Sequence, residues 1–220
     1  MISEKTVELN LTTELINWAS WVTNRTHFAL APSQLQEGTL GFDTSIQTRG
    51  NGLLIQYKRA YVNGPHWQWH LNHTARRDQH LRLQLLESMN IPVFYAFPHF
   101  HTPYEVETRR RRLLHSTFWF RPSRINPSGG PTGHHSVHYD STSGRWWVAS
   151  DREEALPPPD NTGVLLDSLQ DETNNKNLER VFYAFNNVMS KELDPEIEQR
   201  ALRDQQQPEL MFGISAFVQI

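Results

Sequence analysis

Apolar residues recur at helical spacing near the start of the chain. Val7, Leu11, Leu15, Trp18 and Val22 fall on one stripe within residues 5 to 23, with Thr12, Thr13 and Glu14 on other faces. That pattern predicts an amphipathic helix. Residues 31 to 37 then carry a helix-start signature, Ser33 as N-cap with Gln36 three residues on, which sets Glu37 in a short turn six residues before Asp43. Residues 42 to 48 alternate across an extended strand, Gly50-Asn51-Gly52 tolerates positive φ, and Leu53-Leu54-Ile55 opens a second strand. The expected unit is a hairpin. A period of two puts Gln56 and Lys58 on one face of the second strand and Ile55 and Tyr57 on the other.

Residues 62 to 77 read as a ring-rich loop holding one short strand, in which Trp67, Trp69 and Leu71 alternate. Residues 78 to 89 follow as a helix with Leu81, Leu85 and Met89 inward, and residues 91 to 97 as a buried strand with Pro92 near its start. Strand, strand, helix, strand predicts an α/β core whose last strand runs parallel to a hairpin strand. Beyond it we expect a short helix over 105 to 114, an aromatic strand over 116 to 120, a loop over 123 to 133, and a hairpin of 134 to 140 with 145 to 150. The Pro/Gly-rich residues 157 to 163 divide the chain into a core, 1–156, with an inserted β-hairpin region, and a C-terminal part, 157–220, packed on the same core. That part holds an amphipathic helix over 177 to 190 and an apolar final strand over 210 to 220.

Composition narrows the chemistry. The 220 residues include no cysteine, which excludes disulfides and thiolate metal sites and leaves carboxylate, imidazole and amide ligands. No apolar run reaches the ~20 residues of a membrane span, so a soluble cytoplasmic protein without membrane contact is expected. A net charge of −3 argues against a generally basic coat but not against a local positive groove. His66, His70, His73 and His80 invite a zinc site, but none of them pair at helical i, i+4 spacing on a predicted helix, and a stacked polar loop is the simpler reading. His134 and His138 share a strand face without a third ligand in view. The run Arg109 to Arg112 would fan out around a helix, so that one or two of its members reach any one groove.

The hairpin carries the strongest chemical signal. An amide and an ammonium on a core strand are costly unless paired, and Asp43 is the nearest carboxylate. The alternative is a structural cross-strand ion pair between Asp43 and Lys58. Hydrolysing a phosphodiester needs a divalent cation, an acid to hold it and a group to position water. Gly41-Phe42-Asp43, twelve intervening residues, then Gln56-Tyr57-Lys58, a helix bearing Gln79 and the strand Val93 to Ala96 resemble the PD-(D/E)XK nuclease superfamily over roughly residues 33 to 98. Gln56 stands where that family usually has Asp or Glu, as in its Q-x-K variants, and Phe42 replaces the usual Pro.

The resemblance implies an α+β, restriction-endonuclease-like fold with a mixed central sheet flanked by helices. It implies a metal-dependent DNA endonuclease of restriction or anti-phage defence type, using Mg²⁺ or Mn²⁺. Asp43, Gln56, Lys58 and Glu37 would be catalytic. Asp43, Glu37 and Gln56 would hold the metal, with Glu14 the second choice of glutamate, and Gln79, Arg82 and Arg109 would touch phosphates. DNA is favoured over RNA, a homodimer suits double-strand cutting, and a partner protein within a defence assembly is a further expectation. The competing reading is a catalytically inactive module of the same fold that binds nucleic acid or protein.

Overall fold

The computed structural model describes residues 1–32, 41–48, 51–71, 79–126, 135–150 and 152–170, all within one compact unit, Met1–Leu178. Helix α1 spans Glu4–Thr23, started by Ser3, whose hydroxyl accepts from the Thr6 amide, and ended by Asn24 at φ 51°. Its buried stripe is Val7, Leu11, Leu15 and Ala19. Trp18 is only partly buried and Val22 is exposed, because the strict i, i+4 row continues to Ala19.

The first sheet has the order β1-β2-β3-β6-β7, from β1 (Phe28–Leu30), β2 (Thr44–Thr48), β3 (Asn51–Tyr57), β6 (Val93–Pro98) and β7 (Thr117–Phe120). The expected hairpin is β2 with β3, paired antiparallel from Thr44 opposite Ile55 to Thr48 opposite Asn51. The expected parallel pair is β3 with β6, joined through α2 (Gln79–Ser88). One face of this sheet, with Ile46, Leu53, Ile55, Tyr57, Phe94, Ala96 and Trp119, packs on the α1 stripe and on Leu165 and Leu169 of α4 (Gly163–Gln170). Burying such side chains contributes about 1.5–3 kcal/mol each, which is what holds α1 on the sheet.

The second sheet has the order β10-β9-β8-β5-β4, from β4 (Tyr61–Asn63), β5 (His66–Leu71), β8 (His135–Asp140), β9 (Arg145–Ala149) and β10 (Glu153–Ala155). The loop expected over 62 to 77 is therefore in large part a hairpin, β4 with β5, turning at Gly64 with φ 60°. Trp69 and Trp146 stack at 5.8 Å between ring centroids, and both lie against Phe118 of the first sheet. Aromatic rings thus glue the two sheets face to face. The architecture is mixed α+β, with four α-helices among the described residues.

The helix expected over 105 to 114 is shorter. Helix α3 covers Pro103–Thr108 under a Thr102/Glu105 capping box, and Arg111 sits at φ 69°, so the arginine run follows an irregular turn instead of fanning around a helix. Glu14 explains the turn, since its two carboxylate oxygens accept from the Leu113 and Leu114 amides at 3.1 and 3.2 Å. Glu14→Ala is expected to cost about 1–2 kcal/mol by leaving those amides without an acceptor. A denaturant melt showing no loss would contradict this capping role. Glu37, the Arg49–Gly50 part of the hairpin turn, His73, His134 and the C-terminal helix and strand lie outside the described residues.

Candidate functional site

Asp43 enters the fold from Gly41, which has φ +83° and passes so close to α2 that a Cβ there would lie 3.4 Å from both the Arg82 Cβ and the Gln79 carbonyl oxygen. Glycine suits both conditions. The Asp43 amide then donates to the Ile55 carbonyl, extending the β2–β3 ladder by one residue and placing Asp43 beside Gln56. Lys58 is fixed in turn by its amide, which donates to Ala96 of β6.

The side chains form a continuous array. Asp43 Oδ2 accepts from Gln56 Nε2 at 2.7 Å and from the Tyr57 amide at 2.7 Å. Gln79 Nε2 donates to Gln56 Oε1 at 2.8 Å, and Lys58 Nζ donates to Gln79 Oε1 at 2.9 Å. An ionised carboxylate only accepts and an ammonium only donates, so the charged ends fix the sense of both amides between them. Asp43, Gln56 and Lys58 are 9%, 2% and 4% exposed, so breaking the array would strand polar groups in a dry setting. Asp43 and Lys58, the ends of the alternative cross-strand pair, are linked through the two amides of Gln56 and Gln79.

Lys58 also lies 3.8 Å from Glu4 Oε1, and Glu4, Lys58, Arg59, Tyr61 and His70 line a pocket of about 300 Å³. One end of the buried array therefore opens to solvent. Glu8, one turn along α1, accepts from the Thr44 hydroxyl at 3.2 Å, next to Asp43. Tyr57 beneath the array shares a 2.8 Å hydrogen bond with Thr12. Burial, together with the negative charges of Asp43 and Glu8, pushes its phenol far above the ordinary tyrosine range.

Sequence reasoning brought Asp43, Gln56 and Lys58 together as they are found. It missed Glu4 and Glu8, although their i, i+4 spacing beside the Val7–Leu11 stripe was a usable signal. It sent Glu14 toward the site, and the structure uses that side chain to cap residues 113 and 114. Gln79 is held within the array. Arg82 is buried against Gly41, and Arg109 donates to the His99 carbonyl at 2.6 Å and approaches Glu105 at 3.4 Å. His80 sits in the core between the Tyr95 hydroxyl and the Ile125 carbonyl, and no group of three His, Asp or Glu is placed to hold a metal among the described residues. No protein-family model, no curated protein and no solved structure matches this chain.

Proposed function

We propose that this protein is a divalent-metal-dependent DNA endonuclease of restriction or defence type, resembling the PD-(D/E)XK nucleases. The observation that carries the reading is the Asp43–Gln56–Gln79–Lys58 array, built across the β2–β3 hairpin and the crossover helix and ending in an open pocket. The order helix, three antiparallel strands, helix, parallel strand within the first sheet supports it, with the β4–β5 hairpin of the second sheet inserted between β3 and α2.

The donor set suits a hard cation. Mg²⁺ prefers oxygen, keeps several waters, and commonly takes one or two carboxylates plus substrate phosphate oxygens, so a cluster of three acids is not required. Asp43 would hold it with Glu4 and Glu37 as the additional carboxylates, and the Gln56 carbonyl would join them once its amide turns over, since its NH₂ faces Asp43 and its oxygen accepts from Gln79. Bound there, the ion would neutralise charge building on the phosphoryl oxygens. Lys58 donates to a phosphate oxygen or to the attacking water in the pocket, while Gln79 holds its Nζ in place. The water oxygen bonds to phosphorus and gives up a proton to solvent as the bond to the leaving sugar oxygen breaks, and the leaving oxygen takes up a proton from solvent.

Supercoiled plasmid should be nicked or linearised with Mg²⁺ and left intact in EDTA. Glu4→Gln should raise the Mg²⁺ concentration needed for half-maximal cutting by roughly 10-fold, in line with outer ligands of metal sites. An unchanged metal requirement would remove Glu4 from the site.

A second reading is supported by one observation: the Gln56 amide turns its NH₂ toward Asp43 and satisfies that carboxylate without any ion. In that reading the same fold binds nucleic acid or a partner protein and does not cut. DNA binding with no cutting under any divalent ion would select it.

A further inference from the structure

We infer that the outer face of the second sheet is a docking platform for an unpaired DNA strand, which it leads into the Lys58 pocket. The inference rests on the nuclease reading for what the pocket does. Cross-strand register puts Tyr61, Gln68, His138 and Trp147 in one row, each directly opposite the next on β4, β5, β8 and β9. Strands are about 4.8 Å apart, so the row crosses roughly 14 Å of sheet.

Its chemistry is that of a base-stacking surface. His138 and Trp147 stack at 5.1 Å with 10° between planes, His66 meets Trp147 edge-on at 6.2 Å, and the Arg145 guanidinium lies 5.3 Å from the Trp147 ring centroid. Gln68 donates to the Ser136 hydroxyl at 3.1 Å, keeping its amide on this face. Val137, Val148, Trp69 and Trp146 all turn the other way into the core, and the row itself holds no aliphatic side chain. A protein partner would more often require an apolar centre. Planar rings interleaved with guanidinium and imidazole groups suit exposed bases and phosphates, which a duplex keeps stacked inside.

The row also has a direction. At its β4 end Arg59 lies 4.6 Å over the Tyr61 ring and His70 contacts the same ring at 4.6 Å, and these three residues line the pocket with Lys58. Acids flank the row at both ends: Glu4 lines the pocket with Lys58, and Glu153 pairs with Arg145 at 3.6 Å at the β10 side of the sheet. Asp140 caps its own turn by accepting from the Thr142 and Ser143 amides. The rings between them are continuous with the pocket, so a strand lying on the row is led to Lys58.

The test is fluorescence anisotropy in EDTA with a labelled single-stranded 20-mer, its duplex and the RNA of the same sequence. The intact chain should bind the single strand at least about ten-fold more tightly than the duplex, and Trp147→Ala and Tyr61→Ala should each weaken it about ten-fold, the usual scale of one lost stacking partner. Circular dichroism and thermal melts matching wild type establish that the variants fold, and Arg145→Gln, which removes charge but no ring, provides a second probe with a smaller loss. Unchanged affinity in all three variants, equal affinity for duplex, or a preference for RNA overturns the inference. Wild-type cutting of DNA alongside unaffected variants would sink the platform and leave the nuclease reading intact. Ring-dependent strand binding with no metal-dependent cutting would do the reverse, supporting the platform as a strand-binding surface.

Discussion

Lys58→Met is expected to lower metal-dependent cutting by at least 10²–10³-fold, the usual cost of removing one preorganised donor aimed at developing charge. The side chain is 4% exposed, its ammonium is fixed by Gln79 at 2.9 Å, and it lies at the pocket where a phosphate would enter. Methionine keeps the stem but leaves Gln79 Oε1 without its buried donor, a loss of about 1–3 kcal/mol. The expected pair of results is lost cutting and a folded protein whose melting temperature falls by about 2–12 °C. Cutting at half the wild-type rate or better would show that the ammonium is only structural.

Asp43→Ala should have the largest effect on folding. The substitution strands two buried N–H groups that donate to one carboxylate oxygen at 2.7 Å, the Tyr57 amide and one N–H of Gln56 Nε2, which keeps its 3.2 Å bond to the Tyr57 carbonyl. Each unsatisfied buried donor costs about 1–3 kcal/mol, so a loss of roughly 3 kcal/mol or more is expected. For a chain of this size that lowers Tm by about 6–12 °C. Asp43→Asn provides the contrast, because its amide oxygen can still accept from both donors while the negative charge is gone. It should recover most of the stability and none of the cutting. A melt in which alanine and asparagine behave alike would show that the two N–H groups do not depend on this acceptor.

Much of the first sheet was legible because its signals are local. The alternation over 42 to 48, the turn glycines and the apolar run from Leu53 fix a hairpin, and the period of two alone sets Gln56 and Lys58 on the same face as Asp43. The second sheet was harder to see. Val62 and Trp67, which pair across the β4–β5 turn, announce a hairpin only weakly, and the pairing of β5 with β8 joins residues such as Trp69 and Val137 that no window along the chain contains. Glu14 was misplaced for a similar reason. Its partners, the Leu113 and Leu114 amides, are backbone groups whose need for an acceptor arises only once α3 ends early at Thr108. Gln79 was found, but its link to Lys58 depends on the approach of α2 that Gly41 permits.

The long reach from β5 to β8 also governs how the protein is made. As the chain emerges from the ribosome, β4 and β5 are complete long before residues 135 to 140 exist to cover the far side of β5. During that interval Trp67 and Trp69 flank an open backbone edge, the kind of surface on which nascent chains cross-pair. Polypeptides released before β8 is synthesised would carry that edge permanently, which makes prematurely terminated translation products of this protein prone to aggregate.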